Sequence, residues 1–186
     1  MPNTETQRGS KSNTRRTSTN RTSTPKVKEV SSEPTKITPK EVDSSQYVIV
    51  RNGFQGTLIY KSRKTGELYV WQNFGDEQEM ELRELRNAKN SFKKFFINNW
   101  FMFDEDWIVD WLGVRQYYKH AISIDGFDDL FTLSPDELRN TLAELSDGQK
   151  RSVAYRAMEL ISENKIDSLS VISTLEDALG IELIER

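Results

Sequence analysis

The sequence of 186 residues contains no cysteine and only one histidine, His120. The lack of cysteine excludes disulfide bonds, iron–sulfur clusters and thiol catalysis. One histidine cannot form a multi-histidine metal site, and a zinc ion would find no thiolate ligand. The chain matches neither a glycine-rich phosphate loop nor a nucleophile elbow. We therefore predict no catalytic, cofactor-binding or metal-binding residues, no cofactor, and a protein that is not an enzyme; an unrecognised active site near His120 is the weaker alternative.

Long apolar runs are missing as well. No run approaches the roughly 20 residues that are needed to cross a bilayer. The N-terminal residues are basic but lack the apolar stretch of a secretory signal. We therefore expect neither a secretory signal nor a membrane partner.

Residues 1–45 contain no aromatic residue and no leucine, whereas residues 46–186 hold all four Trp, all six Tyr and all nine Phe. The first stretch consists mainly of Ser, Thr, Lys, Arg, Asn and Pro. It cannot bury enough apolar surface to offset the entropy that ordering would cost. The composition predicts a disordered, basic, Ser/Thr-rich tail over 1–45 and a folded chain from residue 46.

The net charge of −3 conceals an asymmetry along the chain. Acidic residues outnumber basic ones from residue 46 onward, whereas seven basic residues face a single acidic residue, Glu5, in the first 28 positions. A basic tail suits contact with a polyanion or with an acidic protein surface, and a merely solubilising terminus is the alternative. The predicted polyanion-contacting residues of the tail are Arg8, Lys11, Arg15, Arg16, Arg21, Lys26 and Lys28.

Short β-branched and aromatic segments alternate with turn residues over 46–82. Asn52-Gly53 has the composition of a tight hairpin turn, and Gly66 and Gly75 lie in two further turns. This pattern predicts a small β subdomain over 46–82, either an antiparallel β meander or an SH3-like barrel. The predicted strands are 47–50, 57–60, 67–71 and 79–82.

Apolar residues recur at intervals of three and four from Leu82 onward, which predicts a helix that continues to Phe96. Later helices have clear start and stop signals. Ser134 and Ser146 each begin a capping-box pattern, which marks a helix start. Gly113 and Gly180 each follow apolar residues at helical spacing, which marks a helix end. We predict an α+β protein in which a helical subdomain over 83–186, a helical bundle, packs on the β subdomain.

Aromatic residues are concentrated between positions 92 and 111. Aromatics at helical spacing usually belong to the core, and we expect most of them to fill the contact between strands and helices. Others could stack on single-stranded nucleic acid or face a protein partner. The predicted partner-docking aromatics are Phe96, Trp100, Phe101, Trp107 and Trp111.

Basic residues recur along the same predicted helix. They indicate either a solvated helix face or a set of phosphate contacts, and phosphate binding would weaken steeply with salt. The residues concerned are Arg83, Arg86, Lys89, Lys93 and Lys94.

Three stretches resemble virion structural proteins of large-genome tailed bacteriophages: MELRELRNAKNS at 80–91 with the Phe95-Phe96 and Asn99-Trp100 pairs after it, LSDGQKRSVAY at 145–155, and LEDALGIELI at 175–184. The resemblance covers residue 47 to the end and carries no site residues. It implies a non-enzymatic component of the capsid, neck or tail, assembled in the host cytoplasm, which binds other virion proteins, contacts DNA through the tail and is compatible with an oligomer. A phage nucleic-acid-binding regulator is the alternative.

Overall fold

The computed structural model describes residues 42–184, which combine α-helices with small antiparallel sheets. The prediction of a disordered tail, with its seven basic residues, therefore lies almost wholly outside the described residues. The described strands are β1 (Tyr47–Asn52), β2 (Leu58–Lys61), β3 (Leu68–Trp71), β4 (Glu77–Glu81) and β5 (Phe101–Met102). The α-helices are α1 (Leu82–Ser91), α2 (Lys94–Ile97), α3 (Asp106–Leu112), α4 (Arg115–Tyr118), α5 (Pro135–Glu144), α6 (Asp147–Ser162) and α7 (Leu169–Leu179), with a 3₁₀ helix over Asp128–Thr132.

The strands pair as two sheets, with the order β4-β1-β5 in one and β2-β3 in the other. In the first sheet Tyr47 lies opposite Glu81 and Asn52 lies opposite Phe101. A meander would have paired β1 with β2, so that part of the prediction is wrong. The SH3-like barrel is not confirmed either, because the described strands do not form one closed sheet.

The Asn52-Gly53 pair explains why β1 and β2 do not form a hairpin. The fully buried Asn52 side chain donates to the carbonyl oxygens of Gly56 and Asn73, both at 2.8 Å, and accepts from the amide of Phe54. The amide of Gly53 donates to the carbonyl oxygen of Trp100 at 2.8 Å. This pair therefore joins β1 to later parts of the chain instead of closing a two-residue turn.

Buried apolar side chains form a first core around the two sheets and a second core farther along the chain. Val50, Trp71 and Leu85 belong to the first core, to which α1, α2 and α3 also contribute. Phe127, Leu142 and others from the 3₁₀ helix, α5, α6 and α7 form the second. Helices α1, α2 and α3 therefore share a core with the strands, and a helical bundle over 83–186 is not confirmed.

Several predicted helix ends are confirmed. Ser134 forms a capping box, since its hydroxyl accepts from the amide of Glu137 and the Glu137 carboxylate accepts from the amide of Ser134. Gly113 and Gly180 end α3 and α7 with φ angles of +66° and +68°, in the left-handed region that glycine adopts without steric cost.

The capping box predicted at Ser146 is only half formed. Its hydroxyl accepts from the amide of Gln149 at 3.2 Å, as expected for an N-cap. The Gln149 side chain does not accept a hydrogen bond from the amide of Ser146. It donates to the carbonyl oxygen of Ile122 at 2.8 Å and accepts from the Ile122 amide at 3.1 Å, which ties the start of α6 to the segment after α4.

Two glycines allow α6 to approach the first core closely. A Cβ atom on Gly148 would lie 2.1 Å from the carbonyl oxygen of Asn98, and one on Gly53 would lie 2.1 Å from that of Asn99. Such distances are far shorter than any normal contact. The loop between α2 and β5 therefore fits between these glycines only because both lack a side chain.

Candidate functional site

Four exposed cations lie over four half-buried aromatic rings, and we call these eight side chains together the cation–ring surface. The guanidinium carbon is 4.1 Å from the ring centroid for Arg86 over Trp111 and 4.5 Å for Arg63 over Phe92. The ammonium nitrogen is 5.5 Å from the centroid both for Lys93 over Tyr117 and for Lys94 over Trp100. All four distances fall within the approximately 6 Å range of cation–π attraction.

Helix α1 positions the first of these pairs. Leu82, Leu85 and Ala88 are fully buried, whereas Arg86, one turn after Leu82, is exposed. The Lys89 ammonium donates to the carbonyl oxygen of Leu112 at 2.5 Å. Leu112 is the last residue of α3, where helix carbonyls lack partners within the helix and attract a cation. This contact holds α1 against α3 and so places Arg86 above Trp111.

The chain bends where α1 ends. The predicted helix through Phe96 is wrong in this respect, because α1 stops at Ser91 and α2 begins at Lys94. Phe92 at the break has φ −143° and ψ 58°, which are not helical values. The change of direction brings Lys93 over Tyr117 and Lys94 over Trp100.

The rings are packed against the first core behind them. Phe92 meets Tyr60 edge-on with ring centroids 6.1 Å apart, and Trp100 meets Phe95 edge-on at 5.5 Å. Trp111 and Tyr117 also pack on this core. Each ring therefore has apolar side chains on one side and a cation on the other.

The charges of the cation–ring surface are not neutralised within residues 42–184. None of its four cations forms an ion pair with a described carboxylate. Other arginines are paired: Arg51 lies 3.1 Å from Asp125, and Arg156 lies 2.6 Å from Asp128. The positive charge of these four cations is therefore not compensated by an ion pair within the described residues.

Lys93 also changes the titration of the ring beneath it. Its ammonium group favours the phenolate form and holds the pKa of Tyr117 below the ordinary tyrosine value, and Gln116 acts in the same direction. The lowered pKa reflects mainly hydrogen bonding of the phenolic oxygen by Lys93 and Gln116.

The basic residues predicted from the sequence divide into two groups. Arg86, Lys93 and Lys94 belong to the cation–ring surface. Arg83 is paired with Glu81, its Nη2 donating to the carboxylate at 2.9 Å. The Lys89 ammonium donates to the carbonyl oxygen of Leu112 at the end of α3. Phosphate contact by any of these residues stays a prediction.

The sequence did not indicate Arg63 or Tyr117 as site residues, and Phe92 entered only as the first residue of the aromatic-rich stretch. Arg63 was assigned only to a turn, and it precedes Phe92 by 29 positions. Nothing in the local pattern connects them, because the pairing depends on how the β2–β3 hairpin packs beside α1.

The predicted docking aromatics also divide. Phe96 and Phe101 are completely buried, so the prediction that they dock a partner is wrong, and they serve the core instead. Trp100, Trp107 and Trp111 keep partial exposure. Trp107 donates its indole N–H to the carboxylate of Glu105, and the other two rings lie under cations.

His120 lines a pocket of about 300 Å³ together with Glu144 and Ser146. Its Nδ1 lies 2.6 Å from the Glu144 carboxylate. The Ser146 hydroxyl is engaged as the N-cap of α6. No group of three or more acidic or histidine side chains within 42–184 is arranged to hold a metal ion.

Comparison with protein-family models, with curated proteins and with solved structures found no match for this chain. Among the described helices, none is both long and apolar enough to cross a membrane.

Proposed function

We propose that this protein is a non-enzymatic nucleic-acid-binding protein that contacts phosphate groups through the cation–ring surface. The observation that carries the proposal is the set of four exposed cations, each held against a ring and none paired with a described carboxylate. Unpaired Lys and Arg side chains displace counterions from nucleic acid, which is the main source of sequence-independent affinity.

The rings contribute by holding the cations in place. A free Lys or Arg side chain loses rotamer entropy when it binds, at a cost of about 0.5–1.5 kcal/mol for each immobilised side chain. A side chain already held over a ring has lost part of that freedom in the unbound protein. The surface is therefore preorganised for contact with an anion.

Binding of a fluorescently labelled nucleic acid to the full chain, measured by anisotropy at several salt concentrations, tests this function. We expect the variant Lys93→Glu/Lys94→Glu to lose at least about tenfold in affinity at low salt, because two attractive charges become repulsive. The matched control is Arg139→Glu/Arg151→Glu, which changes the net charge equally on α5 and α6. Equal losses in both variants, or binding that does not respond to salt, would contradict the proposal.

The seven basic residues of the tail are proposed to add to the same binding. A full-chain variant in which all seven are replaced with glutamine tests how much they contribute to the affinity. The replaced residues are Arg8, Lys11, Arg15, Arg16, Arg21, Lys26 and Lys28. A weaker affinity with a shallower salt dependence is expected. An unchanged salt dependence would limit the function to the cation–ring surface.

A role as a structural component of a tailed-phage virion is the second candidate. The resemblance, which covers residue 47 to the end, supports it, and so do apolar side chains on the outer faces of the sheets. Ile59 and Leu68 are 57% and 58% exposed, and Ile49 is 38% exposed. Ile59 and Leu68 lie on the paired strands β2 and β3, and clustered exposed apolar residues are typical of surfaces that dock other proteins.

Mass spectrometry of purified particles tests this second role. The protein should be found in virions at a constant ratio to the major capsid protein, and a phage protein known to stay in the lysate serves as the control. Detection only in the lysate would contradict a virion role. It would leave the nucleic-acid-binding function to its own test.

A further inference from the structure

The outermost atoms of the cation–ring surface are charged, not aromatic. Arg63, Arg86, Lys93 and Lys94 are all exposed, whereas each ring beneath them is half-buried. A ligand that approaches the surface therefore meets ammonium and guanidinium groups before it meets a ring.

The ring faces are closed to a nucleobase. Stacking of a base requires one open face of an aromatic side chain. Trp111 packs on the first core and is covered by Arg86 at 4.1 Å. Trp100 meets Phe54 and Phe95 edge-on and is covered by Lys94. Neither indole offers the open face that stacking requires.

We propose that the cation–ring surface binds the phosphate backbone of duplex nucleic acid and does not stack on the bases of a single strand; this rests on the nucleic-acid-binding function proposed above. Duplex DNA carries about one charge per 1.7 Å along its axis, roughly twice the density along one of its strands. A surface that recognises only charge binds the denser array more tightly. A surface that recognises bases would prefer the single strand, in which the bases are accessible.

Salt dependence gives a quantitative expectation. The logarithm of the binding constant falls with the logarithm of salt concentration, with a slope of about −0.9 per neutralised phosphate for duplex DNA and about −0.7 for a single strand. Four cations contribute about −3.6 and about −2.8 respectively. The difference in slope between the full chain and the variant Arg63→Gln/Arg86→Gln/Lys93→Gln/Lys94→Gln measures this contribution separately from the tail.

The experiment compares a 20-base-pair duplex with one of its strands (a length of about two helical turns), using anisotropy for affinity and tryptophan emission for stacking. We expect tighter binding of the duplex, a slope difference near −3.6, and no quenching of tryptophan emission by either ligand at saturation. Arg139→Gln/Arg151→Gln is the control and should leave the slope almost unchanged.

A second pair of variants uncovers the rings. Arg86→Ala exposes Trp111 and Lys94→Ala exposes Trp100, so each should weaken duplex binding and make tryptophan emission sensitive to the single strand. Tighter binding of the single strand by the parent protein, with quenching, would overturn the backbone-only inference and leave the proposed function intact. Salt-dependent binding to neither ligand would overturn both.

Discussion

The hydroxyl of Ser152 in α6 donates a hydrogen bond to the carbonyl oxygen of Gly53 at 3.0 Å, although the two residues are 99 positions apart. The same hydroxyl accepts from the amide of Gln55 at 3.2 Å. Ser152 is completely buried. One side chain therefore satisfies two backbone groups that follow β1, and it joins the helix that contributes to the second core to the strand that contributes to the first.

Ser152→Ala should destabilise the protein by about 1–3 kcal/mol, because it leaves a buried carbonyl oxygen and a partly buried amide without this partner. Urea unfolding followed by circular dichroism measures the change. Ser162→Ala in the same helix is the control, since Ser162 is exposed and bonds only within α6. A control effect as large as that of Ser152→Ala would show that the helix, and not its contact with β1, accounts for the loss.

Gly148→Ala should destabilise the protein by roughly 1–3 kcal/mol even though alanine is the better helix former. The added Cβ would lie 2.1 Å from the carbonyl oxygen of Asn98 and 2.4 Å from its Cβ. Thermal unfolding compared with Gly126→Ala provides the test, because the nearest atom there is the small Ser123 hydroxyl at 3.1 Å. A stabilised Gly148→Ala variant would mean that α6 does not approach the Asn98 loop this closely.

Asn52→Asp should cost more than about 3 kcal/mol, although the two side chains have nearly the same shape. The substitution directs a carboxylate at the carbonyl oxygens of Gly56 and Asn73, which now accept hydrogen bonds from the amide. The loss should grow as the pH rises and the new carboxyl ionises. Chemical denaturation at several pH values measures it, and Asn140→Asp on the exposed side of α5 should have little effect at any of them.

Lys93→Gln should raise the pKa of Tyr117 towards the ordinary tyrosine value. The lysine favours the phenolate, so the pKa of the acid is lowered while the lysine is present. Because the folded-state pKa is the lower one, the fold gains stability as the pH rises through it and loses that gain as the pH falls. Ultraviolet titration, with Tyr117→Phe to assign the group, measures the shift; Lys94→Gln, whose lysine lies over Trp100, should not move it.

Arg156→Met should reduce the acid sensitivity of the fold. Its guanidinium bonds the Asp128 carboxylate through two nitrogens and holds the pKa of that carboxyl below the ordinary 3.8. The stabilisation is present above that ordinary value and is lost as the pH falls through the folded-state pKa. The pair is partly exposed, so the effect should stay below about 1 kcal/mol. Unfolding free energies at pH values above and below this range test it, with Arg139→Met as the control.

The sequence predicted local features of the fold well. The four strands before α1 were expected within one or two residues of their observed positions, and the ends of α3 and α7 were expected at the two glycines where they occur. Alternation, caps and turns depend on residues within about four positions of one another, so they can be recognised without the fold.

Strand pairing could not be predicted in the same way. The Asn52-Gly53 pair has the composition of a hairpin turn, but its buried amide bonds Gly56 and Asn73 and its glycine bonds Trp100. The local signal was present, and longer-range hydrogen bonds overrode it. For the same reason the β1–β4 pairing was missed.

By itself the sequence determined the position of most strands and helices and the presence of basic residues on α1, because these follow from spacing along one segment. Only the tertiary structure decided that Phe96 and Phe101 are core residues and that Arg63 and Arg86 lie over Phe92 and Trp111. The tertiary structure also decided that Arg83 pairs with Glu81 and that Lys89 donates a hydrogen bond to the end of α3. The physical reason is that burial and charge compensation depend on which distant segments meet, and that depends on the packing of the whole chain.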